Sequence, residues 1–203
     1  LLRALRAAGK HVSIVTAKPE RFAVRMAEHF GLAPYLNAIV GIAMGDHHAA
    51  ILSARMGMDN TVRSDCAPLG NMVAALLQGG VEVHTLRDIT RGGLGTVLCE
   101  LAEAANCGIE IDETAIPVHE DVRAFAHILG LELLHMGNEG KLLAAVPVHQ
   151  ADRALELLRA SRYGAEAAVI GTVTDGEGVV ALTPIGGKRR VSVLYGEGLP
   201  RIC

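Results

Sequence analysis

Tryptophan is absent from the 203 residues, and three Phe and three Tyr are the only aromatic side chains, too few π-faces for a base-stacking nucleic-acid platform. A surplus of either charge is also missing. Nineteen Lys plus Arg stand against 22 Asp plus Glu, a net charge of −3, which offers no general attraction to nucleic acid or to an acidic membrane surface. No apolar run is long enough to span a bilayer. Cysteine is scarce as well: Cys66, Cys99, Cys107 and Cys203 lack CxxC spacing and no secretory signal precedes them, so reduced thiols in a cytoplasmic protein are expected instead of a disulfide framework. There is no repeat and no low-complexity linker. Hydrophobic residues make up 50% of the chain, enough to bury the core of one domain or of two small ones. The chain opens at Leu1, without methionine and inside a helical pattern, as expected of a fragment.

Apolar periodicity divides the chain into alternating helices and strands. Leu1, Leu5 and Ala8 form a helical stripe, His11 to Val15 read as a buried strand, and Phe22, Met26 and Phe30 form a second stripe closed by Gly31. After a break near Gly41, helical spacing recurs at Leu69, Met72, Val73 and Leu76, at Leu98, Leu101, Ala102 and Ala105, and at Ala151, Ala154, Leu155 and Leu158. Strands are expected over Val81 to Leu86, Ile109 to Ile111, Leu142 to Val146, Ala168 to Val173, Val179 to Leu182 and Arg190 to Val193, with turn residues at Asp175-Gly176 and Gly186-Gly187. Helices mixed with consecutive strands favour an α+β layered fold over a strict βαβ array.

Three places carry chemistry. Asp88-Ile89-Thr90-Arg91-Gly92-Gly93-Leu94 joins an expected strand to an expected helix. Gly92 and Gly93 would let backbone N–H groups approach an anion, the helix N-terminus adds positive potential, and Arg91 can bind phosphate or carboxylate with two parallel hydrogen bonds. Asp88 would hold the loop or a metal near the phosphates. On spacing alone, a structural turn in which Asp88 or Thr90 caps the helix is the better reading. In Asn138-Glu139-Gly140-Lys141, a glycine that permits an unusual turn separates a carboxylate from an ammonium. Unpaired and partly buried, Glu139 would hold its proton more tightly and suit general-base chemistry; paired with Lys141 it would be an ordinary ion pair, the reading preferred without further context. Finally, Pro200-Arg201-Ile202-Cys203 puts a nucleophilic sulfur on a terminal segment loosened by Gly196 and Gly198, where it can travel between sites; its alternative is a cysteine at a frayed end. Cys66, Cys99 and Cys107 lie in or beside apolar segments and are expected to react slowly. Gly45-Asp46-His47-His48 tempts a metal reading, but adjacent histidines seldom face one centre and no zinc site is assigned.

Taken together these motifs resemble the hydrogenase maturation protein HypE family. Gly45-Asp46-His47, Ser64-Asp65-Cys66-Ala67-Pro68-Leu69, the Asp88 to Leu94 loop, Asn138 to Lys141, Ile185-Gly186-Gly187 and the Pro200 to Cys203 ending occur in family order. The Asp88 to Leu94 loop is similar to one shared across the wider aminoimidazole ribonucleotide (AIR) synthetase and selenophosphate synthetase superfamily. The resemblance implies a layered α+β sandwich, the C-terminal domain of that superfamily, over residues 41–203, packing beside a separate ATP-binding domain. It implies that Cys203 accepts a carbamoyl group from the carbamoyltransferase HypF, and that ATP with Mg²⁺ drives dehydration to a thiocyanate whose cyanide passes to iron on the HypC–HypD complex. Glu139 would then be the base, with Asp88, Arg91, Gly92 and Gly93 facing the phosphates. A homodimer is a further possibility, and self-association is expected from an uncovered apolar face.

Residues 1–40 resemble instead a helix-strand-helix stretch of haloacid-dehalogenase-type phosphatases. Leu5-Arg6-Ala7-Ala8-Gly9-Lys10 leads into Ile14-Val15-Thr16-Ala17-Lys18-Pro19-Glu20, with Thr16 where that family binds phosphate through a hydroxyl, and Gly31-Leu32-Ala33-Pro34-Tyr35 continues the likeness. No Asp-x-Asp nucleophile motif precedes it, so phosphatase activity is not expected. Two functions follow: part of an ATP-dependent carbamoyl dehydratase, working with an ATP-binding domain supplied by another chain, or a non-catalytic carrier domain. A phosphatase remnant is a distant third.

Overall fold

The structure is a computed structural model that describes residues 65–90 and 92–193 together with 49–50 and 56–57, and the backbone of 13–16 and 38–41. Leu1–Met44 and Gly45–Cys203 form separate compact units. In the first unit, β1 (Ser13–Thr16) and β2 (Ala38–Gly41) pair in parallel, with Ser13 opposite Ala38. The expected strand at His11 to Val15 thus begins two residues later, and β2 was not anticipated. The helical stripes at Leu1 to Ala8 and Phe22 to Phe30 lie outside the described residues.

The second unit runs α1 (Gly70–Gln78), β3 (Thr85–Asp88), α2 (Gly93–Ala105), β4 (Gly108–Asp112), α3 (Glu120–Leu129), β5 (Leu142–Ala145), α4 (Ala151–Arg159), β6 (Gly171–Thr174), β7 (Gly178–Leu182) and β8 (Lys188–Val191), with 3₁₀ turns at Leu133–His135 and Val148–Gln150. It is an α+β fold, as the patterning implies. Four strands form one sheet in the order β6-β4-β7-β8, with β4 and β7 parallel and the other two pairings antiparallel. A parallel pair needs a long crossover, and the chain between β4 and β7 supplies it. β3 and β5 pair antiparallel as a separate ribbon, Asp88 opposite Leu142.

Alternation along β7 buries Val179 and Ala181, both no more than 1% exposed, against Ile109 and Ile111 of β4 and Leu94, Leu98 and Ala102 of α2. Each large aliphatic side chain so buried contributes roughly 1.5–3 kcal/mol, so this stripe fixes α2 on the sheet. α1 and α4 bury Leu76 and Ala154 with Val81 over the β3–β5 ribbon, against Leu86, Ala144 and Val146.

Several expected boundaries move, each for a local reason. The strand expected from Val81 begins at Thr85, because the Val81 N–H donates to Leu76 O at 3.1 Å and closes the end of α1; pairing with β5 starts only where the His84 N–H reaches Ala145 O at 2.9 Å. The last strand is Lys188–Val191 instead of Arg190 to Val193, because the turn in which the Thr183 N–H and Gly187 O meet at 2.8 Å sets Lys188 opposite Leu182. That turn is the Ile185-Gly186-Gly187 motif, where Gly186 takes φ 80°, a conformation that favours glycine. The expected strand at Ala168 to Val173 becomes Gly171–Thr174. Helix α3 was not anticipated. Its signal is present in Val122, Phe125, Ala126 and Leu129, spaced for one helical face, with Glu120 and Asp121 in the first turn and His127 in the last, the order that complements the helix dipole.

Candidate functional site

Three segments distant in sequence meet at the end of the β3–β5 ribbon. The loop after β3 and the loop before β5 are bound backbone to backbone: the Asn138 N–H donates to Ile89 O at 2.9 Å and the Ile89 N–H to Lys141 O at 3.2 Å. The Asn138 side-chain amide adds donations to Met136 O at 2.9 Å and Ile89 O at 3.3 Å. Across them runs the segment Asp65 to Ala67. Its tightest approach is at Gly140, where a Cβ would overlap Asp65 O and would sit 3.2 Å from Ala67 N. Gly140 is not among the residues of positive φ. The glycine is there for space and not, as its place between two charged residues suggests, for an unusual turn.

Charge is distributed within this junction in one definite way. Lys141 Nζ donates to Asp65 Oδ2 at 2.9 Å and to Asn138 Oδ1 at 2.8 Å. Asp65 Oδ1 accepts the Glu139 N–H at 3.0 Å. The ion pair expected between Glu139 and Lys141 is therefore not formed, since Lys141 is committed to Asp65. Glu139 is partly buried, and its Oε1 is shut off from solvent with no hydrogen-bond partner among the described residues. An acceptor buried without a donor is costly, so a proton or a donor arriving from elsewhere would be welcomed at this oxygen.

The glycine loop lies beside it. Gly92 takes φ 77° and Gly93 φ 64°, and helix α2 starts there with no side-chain cap; the capping reading of Asp88 and Thr90 is not what forms. Thr90 Oγ1 instead donates to Asp88 Oδ2 at 3.0 Å. A Cβ at Gly93 would meet Leu134 O at 2.5 Å and Met136 O at 2.6 Å, so this glycine admits the chain that leads into Asn138. The Gly93 N–H is taken by Thr90 O at 3.2 Å. Behind the loop, buried His135 donates from Nε2 to Ser192 O at 2.9 Å.

The structure thus sets Asp88 and Gly93 against the chain from Leu134 to Leu142 that carries Glu139, while Arg91 and Cys203 lie outside the described residues, as do Gly45 to His48. Sequence reasoning quoted Asp65 and Asn138 within motifs but gave neither a role. The readable signal was the carboxylate of Asp65 placed where Lys141 needed a partner. Cys66 is exposed, which removes the expectation that it reacts slowly. Cys99 is half-buried, and burial, then the neighbouring Glu100 carboxylate, push its thiol pKa up. Among the described residues no group of three or more His, Cys, Asp or Glu could hold a metal ion, and no helix is long and apolar enough to cross a membrane. A cleft of about 1470 Å³ is lined by Asp65, Asn138 and Lys141 at one part and by Leu98, Ile109 and Leu143 at another.

The fold is that of a known class. Residues 36–183 match the family described as AIR synthase related protein, C-terminal domain, and the chain belongs to that family. Within it, the chain is 48% identical over 165 residues to a carbamoyl dehydratase HypE from Azotobacter vinelandii, covering 79% of this chain and 48% of that protein. A crystal structure of hydrogenase maturation protein HypE in complex with ATP matches with TM-score 0.73 and 42% identity, over 79% of this chain and 50% of the other. A crystal structure of a HypE–HypF complex matches with TM-score 0.70 and 37% identity, over 74% and 50%. The chain spans about half the length of the curated relatives it matches. These matches lend no support to the phosphatase-like reading of residues 1–40.

Proposed function

We propose that residues 41–203 are the C-terminal part of an ATP-dependent carbamoyl dehydratase of the HypE type, acting in [NiFe]-hydrogenase maturation. One observation supports the reading: on the loop whose backbone binds Ile89, Glu139 keeps a buried carboxylate oxygen with no partner among the described residues, while the neighbouring Lys141 ammonium is bound to Asp65. Cys203 Sγ takes a carbamoyl group from a HypF-type carbamoyltransferase: the S–C bond of a thiocarbamate forms as the bond from the carbamoyl carbon to the enzyme's carbamoyl donor breaks, and the thiol proton goes to the donor's leaving group. The carbamoyl oxygen then takes the γ-phosphoryl group of ATP and ADP leaves. One N–H proton goes to Glu139 and the other leaves with the departing phosphate as the C–O bond breaks, leaving S–C≡N. The cyanide passes to iron on a HypC–HypD partner. Asp88, Arg91, Gly92 and Gly93 face the phosphates. Mg²⁺ accompanies nucleotide in such chemistry, but the described residues do not themselves fit a metal, and no step is routed through one. The proposed location is the cytoplasm, and a homodimer is the assembly to test for. Residues 1–40 we read as a haloacid-dehalogenase-like helix-strand-helix segment, with no phosphatase role proposed for it.

Supplied with the ATP-binding half of a relative, Glu139→Gln should lower thiocyanate formation by about 10²-fold or more while carbamoylation of Cys203 persists. Mass spectrometry separates the two products, and equal dehydration by the variant would remove Glu139 from the chemistry. A second reading, a carrier that docks Cys203 on its partners without dehydrating it, holds if no ATP-binding half is present. On its own the 203-residue chain should bind MgATP poorly; micromolar affinity by isothermal titration, about −8 kcal/mol, would instead make it autonomous.

A further inference from the structure

We propose that Asp65 is the positioning residue of this site: by binding both the Lys141 ammonium and the Glu139 N–H, it holds the Lys141 ammonium away from the Glu139 carboxylate. The observations are independent of each other. The Asp65 carboxylate is 22% exposed and spends Oδ2 on Lys141 and Oδ1 on the Glu139 backbone. Its own carbonyl is packed where a Gly140 Cβ would be, so the contact is made by backbone as well as side chain and the loop cannot drift from it. Asn138 completes the arrangement, since its Oδ1 takes a second Lys141 hydrogen and its amide ties it to Met136 O and Ile89 O. With the ammonium so held, Glu139 Oε1 is left without a partner among the described residues.

The purpose follows from elementary electrostatics. A carboxylate that pairs with an ammonium is a weaker base, because the ion pair favours the charged form. The same loop therefore has two states of different chemistry: one with Lys141 on Asp65 and Glu139 ready to take a proton, another with Lys141 on Glu139 and the base quenched. Asp65 selects the first. Among the described residues of the packed segments, Arg87 on β3 pairs with Glu100, Asp88 accepts from Thr90, and His135 donates to Ser192. Cys66, next to Asp65, is exposed.

The inference rests on Glu139 as the base, but its test needs no turnover. The side-chain carboxyl carbon of Glu139 in the ¹³C-labelled full chain, assigned by its loss in Glu139→Gln, is titrated by NMR in folded variants. Asp65→Asn keeps an acceptor for the Glu139 N–H and removes the charge that holds Lys141. It should lower the Glu139 titration midpoint by about one unit, and most of that shift should be reversed in Asp65→Asn/Lys141→Met. No shift in folded Asp65→Asn, or a shift that persists undiminished in the double variant, would overturn the proposal; persistence would trace the effect to the lost negative charge of Asp65 alone. Should Asp65→Asn not fold, Lys141→Met by itself decides. A midpoint little changed from wild type supports an ammonium already held off, and a rise of about one unit shows that Lys141 was acting on Glu139 all along. Absence of thiocyanate formation by the wild type, with the Glu139 midpoint shifting in Asp65→Asn and returning in the double variant as expected, would count against the dehydratase reading and not against Asp65, so the two readings fail separately.

Discussion

Cys203→Ala should abolish carbamoylation of this chain when a HypF-type carbamoyltransferase, carbamoyl phosphate and ATP are supplied, the loss being complete and not partial. A thiol is modified as its thiolate and only where an enzyme can present its donor to it. The other cysteines meet these conditions unequally. Cys99 is half-buried, its thiol pushed up by burial and by Glu100, and hydrogen-bonds Val191 O at 3.5 Å; Cys107 packs against the main core cluster. Cys66 is exposed and is the real competitor. With a small alkylating reagent, Cys203 should react first and Cys66 next, with Cys99 and Cys107 well behind. With the carbamoyltransferase only Cys203 should carry the group. Peptide mass spectrometry of wild type, Cys203→Ala and Cys66→Ala reads both, and a carbamoyl group on Cys66 in the first variant would remove the acceptor role of Cys203.

Gly140→Ala should be the most damaging single methyl in the described part of the site. The added Cβ would overlap Asp65 O and lie 2.7 Å from the carbon that bears it, and neither atom belongs to a flexible side chain that can step aside. Relief requires the Asp65 to Ala67 segment to lift, which breaks the Glu139 N–H bond to Asp65 and the Lys141–Asp65 pair. Overpacking and one lost buried hydrogen bond together cost about 2–4 kcal/mol, whereas the half-exposed ion pair adds little. For a chain of this size that lowers Tm by roughly 5–15 °C. Gly70→Ala is the control, since nothing lies within 4 Å of its Cβ and its φ is ordinary; it should stay within about 0.5 kcal/mol of wild type. Thermal unfolding followed by circular dichroism compares them, and equal Tm values would show that the two segments are not pressed together.

Much of the fold was legible because hydrophobic periodicity is local. The stripes at Met72 and Leu76, at Leu98 and Ala102, and at Ala154 and Leu158 each fall on a helix and turn buried or half-buried residues inward. Strands β4, β5 and β7 likewise stand where short apolar runs lie between turn residues. Helix α3 escaped because the stripe Val122, Phe125, Ala126 and Leu129 is interrupted by Arg123 and preceded by Glu120 and Asp121, although its spacing is regular. Val81 was drawn into the strand by its β-branched, apolar character, when its burial belongs to the turn after α1.

What the sequence determined by itself was the α+β class, the order of most elements and the set of motifs that places the chain among HypE-type relatives, because each rests on residues a few positions apart. Only the tertiary structure decided who holds Lys141, why residue 140 must be glycine and which cysteines are covered. Asp65 and Lys141 are 76 residues apart, and Glu139 is two residues from the same ammonium, so nearness along the chain favours the wrong partner. The winner is set by where the backbone puts a carboxylate within hydrogen-bond reach, and that depends on the β3–β5 ribbon, the Gly93 crossing and the Gly140 contact all forming at once.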